Sequence, residues 1–154
     1  MITLTRIDER LIHGQVAFAW TLVYKSQAIM VIDDDAASDP TQKELLEFAC
    51  PVGMMCFVVN KEMAVELLKK YATKKIFIVV KSPDPLLYLV ENGIKLDTVN
   101  VGGLYFKVGR RQLSKTVYVD DHMVETFKKL DSHGVVLEIR TTPSDASQNL
   151  MKII

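Results

Sequence analysis

Ile76-Phe77-Ile78-Val79-Val80, followed by Lys81-Ser82-Pro83-Asp84-Pro85 and then by Gly93 and Thr98-Val99-Asn100-Val101, decides the fold class. The first run is apolar at every position rather than at alternate ones, as a strand covered on both faces must be. Ser82-Pro83 or Asp84-Pro85 supplies a helix cap followed by proline at the first helical position, where its missing N–H is no loss. Gly93 suits the left-handed residue that closes a helix. Strand, helix and strand in succession form one crossover unit.

The same alternation runs outward in both directions. Further β-rich runs are Ile2 to Ile7, Ala28 to Ile32, Met55 to Val59, Thr116 to Val119 and Val135 to Ile139. Between them, Val16, Ala19, Trp20 and Val23 fall on one helix face, with Trp20 as core. Leu45, Leu46 and Ala49 form a second face, and Met63, Leu67, Leu68 and Tyr71 a third. Asn60 is an N-cap, and Asp120 or Asp121 opens a helix carrying Val124, Phe127 and Leu130. Gly134 ends it just after His133, where a cation complements the dipole. His133 and His122 read as structural. The residues from about Pro143 predict a short terminal helix. Such alternation predicts α/β architecture, with parallel strands joined by right-handed crossovers. We expect one domain over residues 1–154, an open doubly wound sheet of about seven strands with helices on both faces. An antiparallel edge strand stays open.

Composition narrows the function. The 154 residues carry 19 basic and 19 acidic side chains, so the electrostatic footprint of a general nucleic-acid binder is missing. Cys50 and Cys56 read as two buried thiols of a reducing compartment, not as a disulfide framework or zinc site. No apolar run approaches the ~18 residues of a membrane span. Arg6, Asp8, Glu9 and Arg10 are wrong for a secretory leader. The expectation is a cytoplasmic protein.

Ligands of an open α/β sheet gather at the carboxyl ends of the strands. The first strand runs into Arg6-Ile7-Asp8-Glu9-Arg10-Leu11-Ile12-His13-Gly14-Gln15-Val16, with a helix starting near Gly14 or Gln15. His13 therefore stands beside a helix N-terminus, whose field holds a histidine toward its nucleophilic, neutral form. The free N–H groups of Gly14 and Gln15 can take phosphoryl oxygens, and Arg6 and Arg10 can supply a planar fork. Asp8 can hold the other ring nitrogen or orient an arginine. Nucleophile, anion cradle and clamp together make a phosphoryl-transfer site. A loop histidine used merely as a cap is the bland alternative.

Other residues read less sharply. Asp33-Asp34-Asp35 ends the second strand, either as capping residues with Asp34 lining the site or as a magnesium-binding cluster. The latter, with Lys81, is the rival reading: a receiver-like or regulatory binding module of the same fold. Asn100, Gly102 and Gly103 form a tight strand-end loop whose glycines serve either phosphate contact or the turn alone. Lys107, Arg110, Arg111 and Lys115 lack an intervening acid, and read as a solvated basic loop or as a dock for an acidic partner.

The string from Arg6 to Val16 resembles the signature of the IIB subunit of the mannose/fructose/sorbose (N-acetylgalactosamine) family of the bacterial sugar phosphotransferase system. Asp34 with Asp39-Pro40, Lys81-Ser82-Pro83, Asn100-Val101-Gly102-Gly103 with Gly109, Ser114-Lys115 and Pro143 extend the resemblance over nearly the whole chain. The resemblance implies that His13 is phosphorylated on its δ nitrogen by the IIA subunit. It implies transfer to a sugar held by the membrane IIC/IID subunits, a peripheral place at that permease, and Arg10 as the residue that stabilises the moving phosphoryl group. Mannose, fructose, sorbose and N-acetylgalactosamine all stay open. No metal or organic cofactor is required by these residues. The stretch Tyr105 to Val108 departs from the family's usual wording.

Overall fold

The computed structural model describes residues 1–154, with the side chain of Val16 left outside the described residues. The strands are β1 (Ile2–Asp8), β2 (Ala28–Ile32), β3 (Met55–Val59), β4 (Ile76–Val80), β5 (Thr98–Gly103), β6 (Arg111–Ser114), β7 (Val117–Val119), β8 (Val136–Ile139) and β9 (Gln148–Asn149). The helices are α1 (Gly14–Tyr24), α2 (Asp34–Ser38), α3 (Pro40–Ala49), α4 (Lys61–Lys70), α5 (Asp84–Glu91) and α6 (Asp121–Ser132), and Leu150–Lys152 adds one 3-10 turn. The seven-stranded sheet has the order β3-β2-β4-β1-β5-β8-β9. Every pair is parallel except β8 with β9.

Two of the continuously apolar runs are fully buried strands, while β3, apolar throughout but at the sheet edge, buries only Val58. Each residue of β2 and β4 is buried, and the pleat sends alternate side chains into two different cores. Ala28, Met30, Ile32, Ile76, Ile78 and Val80 meet Ala64 and Leu68 of α4, Leu86 and Leu89 of α5, and Phe127 and Leu130 of α6. Ile29, Val31, Phe77 and Val79 meet Ala17 and Trp20 of α1, Ala36 of α2 and Leu46 of α3. Each such Val, Leu, Ile, Met or Phe side chain contributes about 1.5–3 kcal/mol when fully removed from water, so two complete layers hold the sheet between them. The connection leaving β1 crosses one face, while those leaving β4 and β5 cross the other. A crevice therefore opens at the carboxyl end of β1.

Capping follows the sequence except at α5, where neither Ser82 nor Asp84 serves: its N-cap is Pro83, with no side-chain capping bond. Asp33, Asp39, Asn60 and Asp120 accept backbone N–H groups at the starts of α2, α3, α4 and α6. Gly93 and Gly134 take the left-handed conformation after α5 and α6, and His133 is the C-cap of α6.

Four expectations need correction. The run at Thr116–Val119 does not join the main sheet; its β7 pairs antiparallel with β6 as a separate ribbon. The seventh strand is instead β9, so the expected terminal helix shrinks to a strand and one turn. Val23 of α1 is exposed and the helix buries Ala17 and Trp20, a rotation of the predicted face. Leu45, Ala49 and Met63 are likewise exposed, because α3 and α4 each cover the sheet with a narrower stripe than their apolar residues suggest. Among the described residues no helix is long and apolar enough to cross a membrane.

Candidate active site

The strand register builds the site. Arg6 lies opposite Asn100 across the β1–β5 ladder, and Asn100 lies opposite Glu138 of β8. A register shift between Ile7 and Asp8 then brings Asp8 opposite Gly103. Such an irregularity at a strand end re-aims the side chains that follow it.

Asp8 is the hub. It is 1% exposed and accepts Arg6 Nη2 at 3.3 Å, Arg10 N at 3.0 Å, Arg10 Nε at 3.2 Å and Arg10 Nη2 at 3.2 Å. Of the two roles open to it, the structure shows the orienting of arginines. Arg6 is turned inward: its Nη1 donates to Asn100 Oδ1 at 2.5 Å and to the Arg140 carbonyl at 3.2 Å. Asn100 Nδ2 donates to that same carbonyl at 2.9 Å. Burial pulls the Arg6 guanidinium down from its ordinary value, opposed by its pairing with Asp8. With Nη1 and Nη2 engaged by Asn100, the Arg140 carbonyl and Asp8 and its side chain 3% exposed, Arg6 holds Asp8 in place from within the protein. That corrects its expected role as part of the clamp.

Arg10 is the outward arginine. Its hydrogen bonds to Asp8 hold it above its ordinary value against a smaller effect of burial. Its guanidinium also lies over the Tyr105 ring, 5.3 Å from the centroid. Leu11, at φ +58° and 5% exposed, and Ile12, at 5%, then fasten the loop to the core under α1. A left-handed leucine is uncommon, and here it turns the chain so that Leu11 and Ile12 are buried while the residue after them is exposed.

That residue is His13. It is exposed and occupies the N-cap of α1 with no side-chain capping bond. Gly14 and Gln15 follow it into the helix, and no acidic side chain stands in that first turn. The four caps named above each spend a side-chain oxygen on such N–H groups. The α1 terminus leaves its own open.

Gly102 and Gly103 correct another expectation. Both belong to β5, not to a turn, and serve close approach. A Cβ at 102 would stand 2.2 Å from the Arg6 guanidinium carbon. One at 103 would stand 2.6 Å from Tyr105 Oη and 2.8 Å from Asp8 Oδ1.

Residues 2–154 match the family described as PTS system sorbose subfamily IIB component. The chain belongs to that family. It is 38% identical over 152 residues to the sorbose-specific EIIB component of Klebsiella pneumoniae, covering 97% of this chain and 93% of the relative. It is 38% identical over 156 residues to the mannose-specific EIIAB component of Escherichia coli strain K12, covering 100% of this chain but only 48% of that protein. Among solved structures, the IIBSor domain of the Klebsiella pneumoniae sorbose permease superposes with a TM-score of 0.95 at 38% identity, covering 99% of this chain and 94% of that one.

In this IIB chain the remaining predicted site residues gather elsewhere. Asp34 accepts Lys61 N at 3.0 Å and Lys61 Nζ at 2.8 Å, which holds its carboxyl below the usual range. Lys81 Nζ stands 3.6 Å from Asp33. Asp34, Ser82, Tyr88 and Glu91 help to line a groove of about 580 Å³ at the ends of β2, β3 and β4. Arg6, Asp8, Arg10 and Asn100 are not among its lining residues. With Asp33 capping α2 at Ala36 N, 3.0 Å, and Asp34 on Lys61, two of the three carboxylates that the receiver-like rival needs are already spent.

The basic segment of the IIB chain is also partly neutralised. Glu9 accepts Arg110 Nη1 at 2.6 Å and Tyr105 N at 2.6 Å, and its other oxygen stands 3.0 Å from Lys107 Nζ. The contact that joins Glu9 to Tyr105 and Arg110 is invisible in the sequence, because no local spacing brings them together. Arg140, just past β8, was findable in principle, since it stands at a carboxyl end. Trp20 is core, as expected, and is also the ring under two cations, with Arg6 and Arg140 at 5.3 and 5.1 Å from its centroid. His122 is structural in that its Nε2 stands 2.9 Å from Asp84 Oδ1 and 3.0 Å from Oδ2. Cys50 and Cys56 are half-buried and face one another. Interaction between the two thiols lowers Cys50 and raises Cys56, with burial adding to the rise.

Proposed function

We propose that this IIB chain relays a phosphoryl group on His13, taking it from a IIA-type phosphohistidine and passing it to a sugar bound by membrane IIC/IID subunits. The observation that carries this reading is His13 itself: an exposed imidazole on an uncapped helix terminus, three residues after an arginine oriented by a buried carboxylate. In the first transfer the lone pair of His13 Nδ1 attacks phosphorus while the donor's P–N bond breaks and its pair returns to the donor ring. Each ring keeps the proton on its distal nitrogen. Arg10 meets charge spreading over the equatorial oxygens, and Gly14 and Gln15 N–H groups take what faces the helix. In the second transfer a sugar hydroxyl attacks, the bond to Nδ1 breaks, and the hydroxyl proton leaves to a base or water.

The names of relatives support the partners and the substrate class. One relative is a mannose-specific EIIAB component, and others are named sorbose-, fructose- and N-acetylgalactosamine-specific. The chain acts as one unit over residues 1–154 on the cytoplasmic side of the permease. The test is phosphorylation by the general phosphotransferase proteins and a IIA protein, with the modified residue mapped by mass spectrometry. Phosphate is expected on His13, and His13→Ala is expected to fold yet accept none. A full equivalent of phosphate on that variant removes the assignment.

A further inference from the structure

Tyr105 belongs to the stretch whose sequence departs from the usual family wording, and the structure gives it a specific neighbour. Its backbone N–H donates to Glu9 and its carbonyl accepts Arg110 Nη1 at 2.8 Å, so the residue is fixed to the loop that follows β1. Its ring is half-buried, with the hydroxyl beside Gly103, where only a missing Cβ leaves room. Its face lies under the Arg10 guanidinium at 5.3 Å.

Asp8 and Tyr105 restrain Arg10 in different ways. The carboxylate takes the Nε and Nη2 edge. That fixes the edge but lets the planar group rock about the line joining the two carboxylate oxygens. A ring beneath the plane removes the rocking motion, through attraction between the cation and the π face. Among the described residues Arg10 Nη1 makes no hydrogen bond, and the side chain is 37% exposed. The free end of the fork is thus aimed while remaining open to an oxyanion.

We propose that Tyr105 is a positioning residue for phosphoryl transfer, acting through Arg10 by holding the plane of its guanidinium. This rests on the relay reading given above. Preorganised donors gain their catalytic effect by needing no reorganisation as charge develops, so loss of the ring slows the chemical step more than it weakens docking.

The experiment is single-turnover transfer from a phosphorylated IIA protein, followed by rapid quench over a range of donor concentrations. Tyr105→Leu, with Tyr105→Met as a second ring-less variant, is expected to lower the saturating rate about tenfold, in line with a partly desolvated cation–π contact. The half-saturating donor concentration is expected to stay within about twofold. Tyr105→Phe keeps the ring and should restore the rate to within about twofold. In an Arg10→Ala background, the same loss of the ring should cost under about twofold, because the group it positions is gone.

A parental rate in both ring-less variants overturns the proposal. So does an equal loss in the Arg10→Ala background, or failure of phenylalanine to restore the rate. Absence of phosphate from His13 in the unsubstituted chain sinks the relay instead, which keeps the two failures apart.

Discussion

At the residue scale two arginines of one short segment, both candidates for the clamp by sequence, take different places in the structure. Arg6 is buried and paired on Asn100, Asp8 and a carbonyl, whereas Arg10 keeps one end of its fork free. Removing one member of a buried ion pair costs about 3–5 kcal/mol, so Arg6 belongs to stability, while the proposed relay gives the chemistry to Arg10. Arg10→Ala is expected to transfer phosphate two to three orders of magnitude more slowly, the effect of losing about 3–4 kcal/mol of transition-state stabilisation. Arg10→Lys keeps the charge without the planar fork and should fall between the two. Rapid-quench measurement of single-turnover rates checks both, and parental rates in both would pass the role to an arginine of a partner.

At the scale of elements, the loop after β1 and the segment after β5 are held together by Glu9. Burial pushes the Glu9 carboxyl up, but hydrogen bonds from Arg110, Lys107 and the Tyr105 N–H outweigh it and hold the group below its ordinary value. A carboxyl depressed in the folded state stabilises above its unfolded value and loses that contribution as pH falls through the folded one. Glu9→Gln should therefore be less stable than the parent at neutral pH, by about 1 kcal/mol once screening by water is allowed for. The gap should narrow as pH falls below the ordinary glutamate value of about 4.3 and close once pH has passed through the depressed folded value, where the parent's own carboxyl takes up its proton. Urea unfolding of the two proteins at several pH values measures it, and a gap that stayed constant down to acid pH would remove Glu9 as the fastener. The same contacts change the reading of the basic segment. Arg110, with a side chain 8% exposed, belongs to the interior of this junction, while Arg111 and Lys115 are exposed.

At the scale of the molecule, two cores share one sheet and its centre is its most protected part. Amide exchange should be slowest in β2 and β4, buried at every residue. It should be faster, by roughly two orders of magnitude or more, in the β6–β7 ribbon, which stands outside the sheet. Equal protection in the ribbon and in β4 would contradict that layering. The alternation of strands and helices, the capping residues apart from that of α5, and the His13 loop were legible in the sequence. Apolar period, cap chemistry and a contiguous motif act over a few residues, and each leaves its mark where it acts. The pairing of β7 outside the sheet, and which face of α1 turned inward, were not legible, because neighbours distant in sequence decide them. The site divides in the same way. His13, Arg10 and Asp8 lie within one short segment and were named from it. Arg6 meets Asn100 across 94 residues and Glu9 meets Arg110 across 101. No local pattern encodes such contacts; they arise only when parallel strands bring β1 and β5 side by side and burial forces each charge to find a partner.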